Sequence, residues 1–173
     1  MKTLRRCSSA VLALCGSVVA LANSTQQVTI NAVVPMMMNL TVDTNNVALA
    51  FAQSDYGSDG TASKQVVNGT TFRVSANSRW RLLVSSNSLN FSYHAIRDGH
   101  DPRKDCNDLE LSAHDTSHYF PVTTTSREIA NGTAGGSDDS GHRIPVSYKL
   151  QSTLVGDPPG VYTLTITYTL MPR

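Results

Sequence analysis

Five histidines, two glutamates, one tryptophan and a scatter of turn aspartates are the residues of this chain that could carry chemistry. His114 and His118 stand four apart, the spacing that puts two imidazoles on one helix face and suits zinc. The residues between them, Asp115, Thr116 and Ser117, favour turns, and outside a helix that spacing separates the rings. His94, Asp98, His100 and Asp101 bring ligand types together in sequence, but structural zinc asks for four converging ligands, often with cysteine. Asp55-Tyr56-Gly57-Ser58-Asp59-Gly60 has the oxygens and glycines of a calcium loop. It lacks the alternating spacing of an EF-hand and no glutamate closes it, so a polar turn is expected. No metal ligand and no cofactor are assigned.

Catalysis is argued against on the same grounds. No Gly-x-Ser-x-Gly elbow occurs among the many serines. Cys106 has His100 and His114 near it in sequence only. Glycoside hydrolysis needs two carboxylates facing each other across a cleft, and Glu110 and Glu128 are the only glutamates. Trp80 would stack on a sugar ring if exposed, but it shares an alternating face with Leu82 and Val84, which favours the core. Few aromatics fall outside strand positions, and Tyr56, Tyr93 and Tyr119 are the candidates for a binding platform. Sequons at Asn23, Asn39, Asn68, Asn90 and Asn131 matter only in a glycosylating host. No catalytic residue is assigned, and the chain is read as a non-enzyme.

The elements that would position any site are strands. From Val161 to Leu170, Tyr162, Leu164, Ile166, Tyr168 and Leu170 alternate with Val161 and four threonines. A period of two in β-branched and aromatic residues marks a half-buried strand, and this one is expected at the centre of its sheet. Val28, Ile30, Ala32 and Val34 alternate likewise until Pro35. The phase then restarts with Met36, Met38, Leu40 and Val42. Val47, Leu49 and Phe51, Phe72 and Val74, Trp80 to Val84, Leu109 and Leu111, and Ile144 to Leu150 complete the set. Asp43-Thr44-Asn45-Asn46 suits a hairpin, and Asp157-Pro158-Pro159-Gly160 is a sharp break. Three polar loops are expected at residues 53–63, 97–108 and 131–142. Seven to eight short strands with no helical run predict one immunoglobulin-like antiparallel β-sandwich over residues 23–173.

The N-terminus predicts export. Lys2, Arg5 and Arg6 precede an apolar run from Ala10 to Leu21, and Ala20-Leu21-Ala22 is a small-x-small cleavage site. Residues 1–22 are read as a cleaved signal peptide, too short to span a bilayer comfortably. Its removal takes three of the 14 basic residues and none of the 13 acidic ones, leaving a net charge of −2. Nucleic-acid binding, which needs a basic stripe, is not expected, nor is a membrane span in the mature chain. Cys7 and Cys15 leave with the signal, so Cys106 is either free or paired between chains.

Trp80-Arg81-Leu82, with Pro159-Gly160-Val161-Tyr162-Thr163 leading into Thr167-Tyr168-Thr169-Leu170, resembles the layout of bacterial WxL-type surface domains. That resemblance implies cell-wall binding; here Tyr168 stands where the second Trp would. The strand-rich start, Val28 to Leu40, is similar to spore-coat-U-like and fimbrial β-sandwich subunits, without the cysteine pair common in the former. The resulting expectation is an exported structural or interaction protein of the periplasm, cell surface or extracellular space, a subunit of an assembly. A carbohydrate or cell-wall polysaccharide binding module is the alternative. The partner surface is expected on residues 27–34, a complete strand that main-chain hydrogen bonds could add to another sheet edge.

Overall fold

Alternating β-branched and aromatic residues make strands of most of the chain, and proline, glycine and aspartate set where they stop. The computed structural model describes residues 29–96 and 100–173. The expected signal peptide, Asn23, residues 27 and 28 of the first alternating segment, and Asp98 lie outside the described residues. The chain divides into Met1–Val34 and Pro35–Arg173. In the first unit, residues 29–34 form no strand, and Ile30, Val33 and Val34 are 85%, 93% and 73% exposed.

The second unit is all-β. Its strands are β1 (Met38–Val42), β2 (Thr61–Ala76), β3 (Trp80–Ser86), β4 (Ser92–Ala95) and β5 (Leu109–Ala113). They continue as β6 (Phe120–Pro121), β7 (Arg127–Gly132), β8 (Arg143–Thr153), β9 (Gly160–Thr163) and β10 (Ile166–Pro172). Among the described residues the only helical pieces are two three-residue 3-10 turns, Gln53–Asp55 and Cys106–Asp108. One sheet has the order β1-β2-β8-β5-β6, a second β10-β3-β7, and β4 pairs with β9 in a ribbon. Every pairing is antiparallel. The sandwich-like class is therefore as expected, with ten strands instead of seven or eight. Among the described residues β4, β6 and β7 are strands the alternation did not mark, the 29–34 and 47–51 segments are not strands, and the long run from Gly160 breaks at Leu164-Thr165, opposite the break between β3 and β4. A hydrogen bond from Asn87 N to Thr165 O, 3.0 Å, spans that break.

The core lies where the two large sheets face each other. Trp80, Leu82 and Val84 of β3 meet Phe72 and Val74 of β2 and Ile144, Val146 and Tyr148 of β8, all buried. At roughly 1.5–3 kcal/mol for each buried large apolar side chain, this cluster supplies the main drive to fold. The sixteen-residue β2 pairs with β8 on both sides of a bulge between Val66 and Thr70, across which the register shifts. Asn68 takes φ 50° there, a conformation asparagine tolerates better than most residues.

Three expectations are corrected. The 161–170 run is not central: among the described residues β10 is the edge of its sheet, with β3 as its one strand partner. Asp43 to Asn46 does not make a hairpin; β1 pairs instead with the distant C-terminal half of β2, Leu40 opposite Val74. The Asp43 carboxylate accepts a hydrogen bond from Thr71 N at 2.7 Å, securing the end of that pairing. Val47, Leu49 and Phe51 do alternate inward against the core, but among the described residues no strand pairs with them. Alternation is a property of one segment, whereas pairing needs a partner brought from elsewhere.

Candidate functional site

The residues with catalytic or ligating chemistry are dispersed and already engaged. His114 sits in a turn with φ 70°, and His118 is exposed beside Asp115. Asp115 is occupied as a turn cap, accepting from Ser117 N and His118 N, and those backbone donors hold its carboxyl below the usual range. In the 55–60 turn, Asp55 accepts from Ala52 N and pairs with Lys64 at 2.7 Å, while Asp59 takes both donors of Thr61. Each carboxyl is lowered first by its backbone donor. Glu110 binds Lys149 at 2.9 Å and Glu128 binds Asn131 at 2.7 Å. Among the described residues no group of three His, Cys, Asp or Glu could hold a metal ion.

Cys106 is a free thiol 1% exposed, sunk at the start of a 3-10 turn. Burial, then the neighbouring Asp105 charge, pushes its pKa up, the reverse of a reactive thiolate. Trp80 is wholly buried, its ring packed on His142 at 5.6 Å. Gly132 permits this, since a Cβ there would lie 2.5 Å from the indole. Tyr56 is hydrogen-bonded to Ser152, Tyr119 lies beneath the Lys149 ammonium, and Tyr93 packs on Tyr162 at 42° between planes. The two best-formed recesses are lined by Arg79, Asn131, Gly132, Thr133 and Arg173, and by residues of the 87–92 and 163–165 breaks. Neither holds a carboxylate side chain, histidine or cysteine.

The loop at 131–142 is stitched down at several points. Ala76 and Gly135 exchange both backbone hydrogen bonds, Val74 N donates to His142 O, and Arg73 pairs with Asp138 at 2.7 Å. The 100–108 segment is held by Lys104, which is 6% exposed. Its ammonium reaches Asp108 at 3.0 Å and Asp157 at 2.8 Å, tying this segment to the turn before β9.

Among the described residues, one side of the sandwich is incomplete. The opposite side is closed: β6 pairs with β5, Val122 is buried, and Thr123 O accepts from Ser86 N of β3. Arg127 caps that side with its guanidinium 3.9 Å from the centre of the Phe120 ring. On the open side the strands β1 and β10 are both sheet edges, and they approach within 8 Å without exchanging a ladder hydrogen bond. Here the inward residues are only partly buried: Leu40 on β1, and Ile166, Tyr168 and Leu170 along β10. The β3 partners of the β10 residues, Ser86, Val84 and Leu82, are 0–5% exposed.

Tyr168 is held in place on this side by two aromatic partners. Its ring lies 4.3 Å from the Phe72 ring, and its hydroxyl meets the Tyr148 hydroxyl across the sandwich at 2.8 Å. Burial pushes the pKa of both tyrosines up. The period-two pattern already placed Ile166, Tyr168 and Leu170 on one face. That the face lacks a covering strand could not be read from it, because incomplete burial leaves no mark on composition. In comparison with known proteins, no family model and no curated sequence matches the chain.

Proposed function

We propose that this protein is a non-enzymatic, exported structural subunit that self-associates, each copy lending its 27–34 strand to the open edge of another. The single observation that carries this reading is the free edge of β10, with its inward apolar residues only partly covered. An unpaired edge with an apolar inner face is a template for strand addition, and isolated proteins usually blunt such edges. The same chain holds a matching segment: Ile30, Ala32 and Val34 alternate just before Pro35, and Ile30 and Val34 are largely exposed. Main-chain hydrogen bonds would supply affinity, and alternate side chains register. The basic and apolar N-terminus supports export.

The test is solution mass. Purified mature protein is expected to form concentration-dependent oligomers in light scattering, and deletion of residues 23–34 should leave a folded monomer. A wild-type protein that stays monomeric at high concentration, with the deletion simply unfolding it, would show that the segment serves only its own domain.

A further inference from the structure

The free edge of β10 also carries information about how a strand would dock on it, and this inference rests on the assembly reading above. Two hydrogen bonds fix which residues of β10 are already used. Asn87 N donates to Thr165 O, and Arg173 N donates to Arg79 O. Both pairs continue the register in which Thr167 faces Ser85 and Thr169 faces Leu83. Directly bonded positions alternate in an antiparallel ladder, so the odd-numbered residues of β10 spend their backbone groups on β3. Ile166, Tyr168 and Leu170 therefore point N–H and C=O outward at the free edge. The same three residues point their side chains inward.

From this geometry we infer that residues 30–34 of a second copy dock antiparallel to β10, with Ala32 opposite Tyr168, Val34 opposite Ile166 and Ile30 opposite Leu170. In that arrangement Ile30, Ala32 and Val34 are the bonded positions, each offering both an N–H and a C=O. Pro35, which has no N–H, falls opposite Thr165, where none is required. Parallel docking on the same face would instead turn Asn31, Val33 and Pro35 toward the edge, and Pro35 would leave a gap. The choice of Ala32 for Tyr168 follows from volume. Tyr168 is the bulkiest of the three inward residues, raised on Phe72 and anchored to Tyr148, and Ala32 is the smallest of the three donors. A large side chain at that point would collide with the ring.

Cysteine trapping between two full-length preparations tests the register. The outward pairs Asn31 with Thr169 and Val33 with Thr167 would be non-bonded antiparallel pairs about 4.5 Å apart at Cα, close enough for a disulfide. Mixing Asn31→Cys with Thr169→Cys, and Val33→Cys with Thr167→Cys, should give cross-linked dimers at least tenfold faster than the swapped pairs. The swapped pairs, Asn31→Cys with Thr167→Cys and Val33→Cys with Thr169→Cys, are those that parallel docking would favour. In parallel, Ala32→Phe should weaken oligomer formation about tenfold or more, while Val34→Ile should leave it nearly unchanged. Oligomers that form normally but trap through the swapped pairs, or that tolerate Ala32→Phe, would overturn the register and leave the assembly reading intact. Failure of wild-type protein to associate at all would instead overturn the assembly reading, and the register with it.

Discussion

Leu82 and Leu170 face each other across the β3–β10 ladder, identical in type and on the same inner face. They differ in one respect: Leu82 is 0% exposed, whereas Leu170, on the edge strand, is only partly buried. Truncating Leu82 to alanine removes atoms packed on every side and leaves a closed cavity, which costs about 3–4 kcal/mol. Truncating Leu170 removes a side chain open on one flank. The void connects to solvent, so the transfer contribution remains and the cavity contribution largely vanishes, giving about 1–2 kcal/mol. Urea unfolding of each variant at low concentration would measure both, with an unchanged m-value confirming that the folded states compare. At concentrations where the wild type assembles, the cost of Leu170→Ala should rise toward that of Leu82→Ala, because a docked strand would close the open flank. Equal costs for the two at low concentration would mean that β10 is already covered, and the open-edge argument would fail.

Two further outcomes follow from buried polar groups. Lys104→Met should cost about 3 kcal/mol by stranding the mostly buried Asp157 carboxylate, or a fall in Tm of roughly 6–12 °C for a domain of this size. Asp157→Leu added to Lys104→Met should recover part of that loss, and a single variant melting at the wild-type temperature would show that the pair contributes nothing. Tyr148 and Tyr168 have folded pKa values raised by burial, so the folded state favours their neutral forms. Their contribution is complete below the unfolded tyrosine value of about 10 and is lost as pH rises above it toward the folded values. The urea midpoint of wild type should therefore fall more steeply above pH 10 than that of the Tyr148→Phe/Tyr168→Phe double variant. Parallel decline of the two would remove this pair as the cause.

The period-two pattern alone determined the all-β class, and it assigned the inward faces correctly from Phe72 and Val74 through Trp80, Leu82 and Val84 to Ile144, Val146 and Tyr148. It did so because burial of one face is a local property, written in every second residue. It also placed Ile166, Tyr168 and Leu170 together, the residues that line the candidate site. Only the tertiary structure decided that this strand is an edge, that β1 pairs with β2 and not with the segment that follows it, and that Val47 to Phe51 has no partner. The burial of Lys104 between Asp108 and Asp157 was equally invisible, since its partner before β9 lies far along the chain. Alternation specifies which way a side chain points; which strand lies alongside is settled by competition among all the strands for the same core. Among the described residues, the open side of the sandwich is what that competition leaves over, with β10 paired to β3 alone.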